Sequence, residues 1–104
     1  MLSKYVRFYV PSTKNVGEKL SRAERHVLIT RVERFMENHF EGFTSIQGKG
    51  GWKGIRESVT LVTSYHALET SDALAIVIPL AEAIKAEYRQ EAIAIETELG
   101  LESI

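Results

Sequence analysis

Two patterns of hydrophobicity alternate along this chain, and their order restricts the folds open to it. Residues 4–10, 43–47, 57–65 and 90–97 have the alternating, β-branched and aromatic composition of strands. Residues 21–40 and 70–88 have the spacing of amphipathic helices. The order is β-α-β-β-α-β, which is two split βαβ units. The sequence therefore predicts an α+β, ferredoxin-like βαββαβ sandwich, with a four-stranded antiparallel sheet and two helices on one face.

Local signals set the ends of both helices. Ser21 and Glu24 have the spacing of a capping box, so the first helix should begin there. Its apolar face is predicted to consist of Leu28, Val32, Phe35, Met36 and His39. Thr70, Ser71 and Asp72 offer N-caps for the second helix. Pro79 should either kink that helix or mark the first turn of a shorter one.

Length and composition exclude several classes of protein. A chain of 104 residues predicts one domain, residues 1–104, that needs no disulfide or metal to fold. The absence of cysteine excludes a disulfide framework, a zinc ribbon and a thiol nucleophile. Neither a signal peptide nor a stretch long enough to span a membrane is recognisable, so we expect a cytoplasmic protein without membrane contact.

Charge is unevenly distributed along the chain. Residues 1–36 carry eight Lys or Arg and three Asp or Glu, whereas residues 69–104 carry two and eight. One interpretation is an anion-binding face on the first helix. The other is that oppositely charged elements lie side by side, within one subunit or between subunits.

The segment 48–57 departs most from plain helix and strand composition. It holds four of the seven glycines, the single tryptophan and three cations. This segment is predicted to make the turn between strands two and three, where its amides could converge on an anion, beside the cations and a stacking Trp52. The candidate ligand-binding residues are Lys49, Gly50, Gly51, Trp52, Lys53, Arg56 and Glu57. The alternative is a bulged hairpin in which Trp52 packs on the sheet edge and the cations are solvated.

Other chemistry finds little support in the sequence. His26, His39 and His66 lack the spacing of a metal site, so we expect no metal and no cofactor. No Ser/His/Asp set is recognisable, so no catalytic residue is predicted. Glu57 could pair with Arg56 of a neighbouring subunit or with Arg7 on the adjacent strand.

Alternation along the strands predicts the two faces of the sheet. Residues facing the helices should be Val6, Phe8, Val10, Val59, Leu61, Ile93 and Ile95. The open face should carry Tyr5, Arg7, Tyr9, Thr60, Val62, Ser64, Ala92, Ala94 and Glu96. Such a partly apolar face favours a homo-oligomer. Nucleic-acid binding is not expected, because strand three lacks outward aromatics and the carboxyl-terminal third is acidic.

The chain resembles small members of the PII/CutA-like superfamily in four short motifs within its β-α-β-β-α-β order. They lie at residues 42–44, at 51–52 with Gly54, at 56–57 and at 90–92. The resemblance implies a ferredoxin-like fold, a trimer in preference to a dimer, and ligand clefts between subunits. In nucleotide-binding PII proteins a long loop between strands two and three contacts effector and target, and this chain has a shorter hairpin there. Together with the glycine and cation cluster at 48–57, this fold favours a non-enzymatic regulatory oligomer that binds a small anionic ligand or a protein partner.

Two further functions stay open at this point. One is a small enzyme of the dimeric α+β barrel type, with Tyr5, Arg7, Tyr9 or His66 in a pocket between sheet and helices. The other is a structural oligomer without ligand, whose tail 99–104 adds a strand to a neighbouring subunit.

Overall fold

The computed structural model describes residues 2–15 and 17–104, and for Trp52 the backbone alone. Its elements are β1 (Lys4–Val10), α1 (Arg22–Phe40), β2 (Thr44–Trp52), β3 (Ile55–His66), α2 (Thr70–Glu87), β4 (Ala94–Thr97) and β5 (Gly100–Ser103). The five strands form one sheet in the order β2-β3-β1-β4-β5, and every neighbouring pair is antiparallel. The protein is thus an α+β protein, and its strand order is compatible with a ferredoxin-like fold.

The fifth strand corrects the prediction of four. The predicted addition of the tail to a neighbouring subunit is replaced by pairing within the chain, because residues 100–103 pair with β4 of the same subunit. Two backbone hydrogen bonds between Ile93 and Ile104, of 3.2 and 2.8 Å, extend this ladder past the strand ends. The fourth strand is also shorter than predicted, since it begins at Ala94 and not at residue 90.

The helices begin and end close to the predicted residues. Ser21 caps α1 with both hydrogen bonds of a capping box, to and from Glu24. The buried side of α1 consists of Leu28, Val32, Met36 and Phe40, while His39 is exposed. Helix α2 is capped at Glu69, without a side-chain cap bond, and not at the predicted hydroxyl or Asp residues. Pro79 lies inside this helix.

One buried cluster joins both helices to one face of the sheet. Alternate residues of β1 are 0–1 % exposed and belong to this cluster, as do residues from both helices and from β4. Burial of these aliphatic and aromatic groups stabilises the fold by about 25 cal/mol for each Å² of apolar surface removed from water. No helix in the described part of the chain is long and apolar enough to cross a membrane.

The prediction for the faces of β3 was wrong by one residue. Thr60, Val62 and Ser64 are buried on the helix side, and Leu61 lies on the open side. Pairing with β1 sets this register, because Val62 lies opposite the buried Phe8 and opposed residues share a face. The Ser64 hydroxyl is accommodated there because it donates to the Gly42 carbonyl at 2.6 Å.

Candidate functional site: a cationic groove

The glycine-rich segment is mostly strand and not turn, which corrects its predicted conformation. The β2–β3 ladder continues to the pair Trp52 and Ile55, so Lys53 and Gly54 alone make the connection. Their φ values of 48° and 79° are those of a two-residue type I′ hairpin turn. Gly48, Gly50 and Gly51 are paired strand residues, whose amides alternate between the two strand edges. These amides therefore do not converge on one point as an anion nest would require.

The two strands extend beyond the rest of the sheet as a hairpin arm, residues 48–58. Strand β1 ends opposite Thr60, so the arm pairs only with itself. Thr60 and Val62 point to the helix side, and Ser58 and Arg56 continue that side at steps of two. Lys49 lies opposite Ser58 and therefore shares this face. The arm thus presents two of its three cations towards the side of the sheet that holds the helices.

A groove of about 490 Å³ lies between the hairpin arm and the loop that leads into α1. Its lining includes three of the predicted site residues, Lys49, Arg56 and Glu57. Lys19 of the loop and Arg25 of α1 line it as well. We call this feature the cationic groove, defined by Lys19, Arg25, Lys49 and Arg56. Four cations and a single carboxylate surround it, so its field favours an anion.

Three of the remaining predicted site residues, Gly50, Gly51 and Lys53, do not line the groove. Gly50 and Gly51 lie in β2, and Lys53 lies in the turn at the tip of the arm. The predicted stacking or anchoring role of Trp52 concerns a side chain outside the described part of the structure. Lys19 and Arg25 were missed as individual site residues. The excess of cations in residues 1–36 was the signal that pointed to this region.

The loop wall of the groove is a closed turn. Leu20 is buried, and its amide donates to the Ser12 carbonyl at 2.9 Å. Within the loop, Thr13 and Lys19 form an isolated antiparallel bridge. Asn15, with φ 59°, and Gly17, with φ 81°, take the left-handed conformations that the turn requires. Lys19 is therefore held on a folded loop, next to the amino-terminal end of α1.

Ion pairing leaves the groove cations uncompensated. Nearby, Lys14 pairs with Glu24 at 2.9 Å. The Ser21 amide, and then Lys14, lower the pKa of Glu24 to about 2, so this carboxylate is occupied by its own partners. None of the four groove cations forms an ion pair with any residue that the structure describes. Their mutual repulsion would be relieved by an anion bound between them.

Elsewhere the charge asymmetry is satisfied within one subunit. Three of the four ion pairs found among the described residues join the basic first third of the chain to its acidic last third. They are Lys4–Glu69 at 3.8 Å, Arg7–Glu96 at 3.1 Å and Arg31–Glu87 at 2.6 Å. For these pairs, oppositely charged elements therefore lie side by side within one subunit. The groove cations are not part of this pairing.

A second polar group, the open-face cluster, lies on the opposite side of the sheet and consists of Tyr5, Arg7, Tyr9 and Glu96. The Glu96 carboxylate accepts from the Tyr9 hydroxyl at 2.6 Å and from the Tyr5 hydroxyl at 3.0 Å. These hydrogen bonds lower the pKa of Glu96, and the bond from Tyr9 has the largest effect. The same bond raises the pKa of the Tyr9 hydroxyl. Arg7 also donates to the Thr63 hydroxyl at 2.9 Å. Every member of this cluster is therefore partnered.

The open-face cluster corrects two predictions. Arg7 pairs with Glu96 and not with Glu57, because Arg7 is in register with Thr63, six residues along β3 from Glu57. Tyr5, Arg7 and Tyr9 also do not lie between sheet and helices, where the enzyme pocket was predicted. His66 is buried on the helix side against Phe40, whereas the tyrosines and Arg7 lie on the open face. In the ranges 2–15 and 17–104, no group of three or more His, Asp or Glu side chains could hold a metal ion.

Comparisons with known proteins place the fold but no more. No protein-family model and no curated protein matches the chain. The solved structure of a phage SAM lyase in the apo state aligns over 97% of this chain and 87% of that chain, with a TM-score of 0.72 and 13% identity. A phage SAM lyase in complex with S-methyl-5′-thioadenosine aligns over 97% and 88%, with a TM-score of 0.62 and 13% identity. At this identity the similarity shows a shared fold alone.

Proposed function

We propose that the protein is a cytoplasmic, PII-like oligomer with a ferredoxin-like sandwich, and that it binds a small anionic ligand in the cationic groove. The observation that carries this proposal is the set of four cations without ion-pair partners among the described residues. The proposed role is regulatory and non-enzymatic, and its support is the predominance of cationic side chains in the groove lining.

Physical chemistry favours a phosphate or carboxylate ligand. Arginine forms bidentate hydrogen bonds to either group, and lysine adds a compact charge. Arg25 lines the groove from α1 and Arg56 lines it from the hairpin arm, so two walls of the groove carry a guanidinium group. A volume of about 490 Å³ lies within the range of sites for small molecules and cofactors.

A thermal-shift panel tests this function. Phosphate, pyrophosphate, nucleotides and dicarboxylates are compared with neutral adenosine. A true ligand at a hundredfold excess over its Kd stabilises the fold by about 2.7 kcal/mol, or roughly 10 °C for a domain of this size. The Lys49→Ala/Arg56→Ala variant should lose the shift. The Lys53→Ala/Arg56→Ala variant removes Arg56 of the lining together with Lys53, which lies outside the lining. Its thermal shift, compared with that of Lys49→Ala/Arg56→Ala, separates the contribution of Lys49 from that of the turn lysine.

The matched control is Arg34→Ala/Lys85→Ala. It also removes one Arg and one Lys, from helical positions outside the cationic groove. We expect it to keep the thermal shift of the wild type. An equal loss in both double variants would mean that net charge, and not the groove, attracts the anion.

A homo-oligomer, a trimer in preference to a dimer, accompanies this proposal. Its support is the hairpin arm, because an isolated two-stranded ribbon is marginally stable in water. Ile46, Ile55 and Leu101 on the open face are each more than half exposed. Sedimentation equilibrium at micromolar concentration should give a trimer, and a monodisperse monomer would contradict the proposal.

A small enzyme acting on a sulfonium nucleoside such as SAM is the second candidate. The likeness to phage SAM lyase favours it, and the open-face cluster would supply its polar groups. SAM and S-methyl-5′-thioadenosine therefore belong in the panel, with chromatography of SAM after incubation. A thermal shift or SAM loss that survives Lys49→Ala/Arg56→Ala but not Glu96→Gln would favour this candidate over the anion-binding function.

A further inference from the structure

The loop wall of the cationic groove is fastened to the far end of α2. The Gln90 side-chain amide donates to the Thr13 carbonyl at 2.7 Å and to the Tyr88 carbonyl at 2.9 Å. The Asn15 amide donates to the same Tyr88 carbonyl at 3.0 Å. Two hydrogen bonds thus connect residues 13 and 15 of the loop to residues 88 and 90, more than seventy positions away in the chain.

The end of α2 is a rigid support for these bonds. The Gln90 backbone amide donates to the Lys85 carbonyl at 3.0 Å, and Arg89 has the left-handed φ of 49° that ends the helix. Tyr88 packs against the buried core. Gln90 therefore projects from a fixed position, and its amide can orient the loop and not merely follow it.

The other bonds of the loop do not replace this connection. Leu20 to Ser12 and Lys14 to Glu18 close the loop on itself, and the Lys14–Glu24 pair joins it to α1. Among the described hydrogen bonds, those of residues 88–90 alone connect the loop to α2. Thr13 forms an antiparallel bridge with Lys19. A displacement of Thr13 would therefore also displace Lys19, one of the four groove cations.

We propose that Gln90 is a positioning residue for the cationic groove, which it affects by fixing Thr13 and, through the bridge, Lys19. The inference rests on the proposed anion-binding function of the same groove. A loop that samples other conformations binds in proportion to the fraction of time it spends in the competent one. Loss of the Gln90 bonds should therefore weaken anion binding although Gln90 touches no anion.

The substitution Gln90→Met tests this inference without a change of charge. It keeps the length of the side chain and removes the donor. The affinity for pyrophosphate, measured by isothermal titration, should fall about fivefold, which corresponds to one lost hydrogen bond of ordinary strength. Gln47→Met is the matched control. It changes the only other glutamine of the chain, which is exposed on β2 and makes no side-chain hydrogen bond to a described residue.

Hydrogen exchange of the Asn15 backbone amide supplies a readout that does not depend on any ligand. We expect faster exchange in Gln90→Met and unchanged exchange in Gln47→Met. Gln90→Lys restores a donor that can reach the same two carbonyls, and so should restore protection of this amide. General destabilisation would instead speed exchange throughout the core and would not be corrected by Lys.

Each result bears on one claim. If the wild type binds no pyrophosphate, the anion-binding function fails, while the Asn15 exchange still tests whether Gln90 fixes the loop. If Gln90→Met exchanges Asn15 at the wild-type rate, or binds pyrophosphate with wild-type affinity, Gln90 is not a positioning residue. Faster exchange together with weaker binding, and protection regained in Gln90→Lys, is the predicted combination.

Discussion

Replacement of Glu96 by glutamine should destabilise the protein at neutral pH and much less in acid. The carboxylate accepts hydrogen bonds from Tyr9 at 2.6 Å and Tyr5 at 3.0 Å, and pairs with Arg7 at 3.1 Å. Its side chain is 24% exposed, so water screens these contacts only in part. Glutamine keeps one acceptor oxygen but leaves the Arg7 charge without its partner.

The magnitude follows from the number and kind of bonds. A hydrogen bond to a charged group contributes about 1.5–3 kcal/mol net, and one acceptor is retained, so we expect a loss of about 2 kcal/mol. For a domain of about 100 residues this lowers the Tm by about 8 °C. Urea unfolding at pH 7 measures it directly. Glu102→Gln is the control, since Glu102 is exposed on the adjacent β5 and has no partner among the described residues.

The pH dependence gives the sharper test. The folded protein lowers the pKa of Glu96, chiefly through the Tyr9 hydrogen bond, so its contribution is complete above the unfolded value of about 4.3. The contribution is lost as the pH falls through the lowered folded pKa. The gap between wild type and Glu96→Gln should therefore shrink from about pH 5 downwards. A constant gap through this range, or no gap at pH 7, would refute the reasoning.

Three further substitutions test local features of the fold. Gly54→Ala should cost about 1 kcal/mol in urea unfolding because Gly54 has φ 79°, whereas Gly50→Ala, in ordinary strand conformation with open space around it, should cost less; equal costs would contradict the turn assignment. Ser21→Ala removes the cap of α1 and should lower stability by about 1 kcal/mol, and an unchanged Tm would contradict the capping box. His66→Phe removes the buried, unpartnered Nε2 beside Phe40 and should leave the free energy of unfolding equal or higher. A loss above about 1 kcal/mol would show that the hydrogen bond from the Leu68 amide to His66 Nδ1 stabilises more than the unpartnered Nε2 costs.

The sequence predicted those elements whose signals are local. The capping box at Ser21 and the alternation in β1 each depend on a few neighbouring residues, and both are confirmed. The face of β3 was predicted wrongly because both of its faces carry small apolar and hydroxyl side chains. Its orientation is decided by the pairing of Val62 with Phe8, which is a tertiary contact. Strand β5 was missed because its residues are all exposed and only its pairing with β4 defines it.

The candidate site was predicted in part for the same reason. Lys49, Arg56 and Glu57 were found because they lie in one unusual segment. Lys19 and Arg25 come from a loop and a helix more than twenty residues earlier, and only the fold brings them to the same groove. The glycines suggested an anion nest, but pairing in β2 places their amides along a strand. Side chains therefore replace backbone amides as the candidate anion-binding groups.

Isothermal titration of pyrophosphate into the wild type and into Lys49→Ala/Arg56→Ala tests the cationic groove most directly. We predict saturable binding at one site per chain, weakened at least about tenfold in this variant, because each charge contact near a surface contributes on the order of 1 kcal/mol or more. Arg34→Ala/Lys85→Ala should bind like the wild type. Absence of saturable binding to the wild type, or equal affinity in both double variants, would contradict an anion site in the groove.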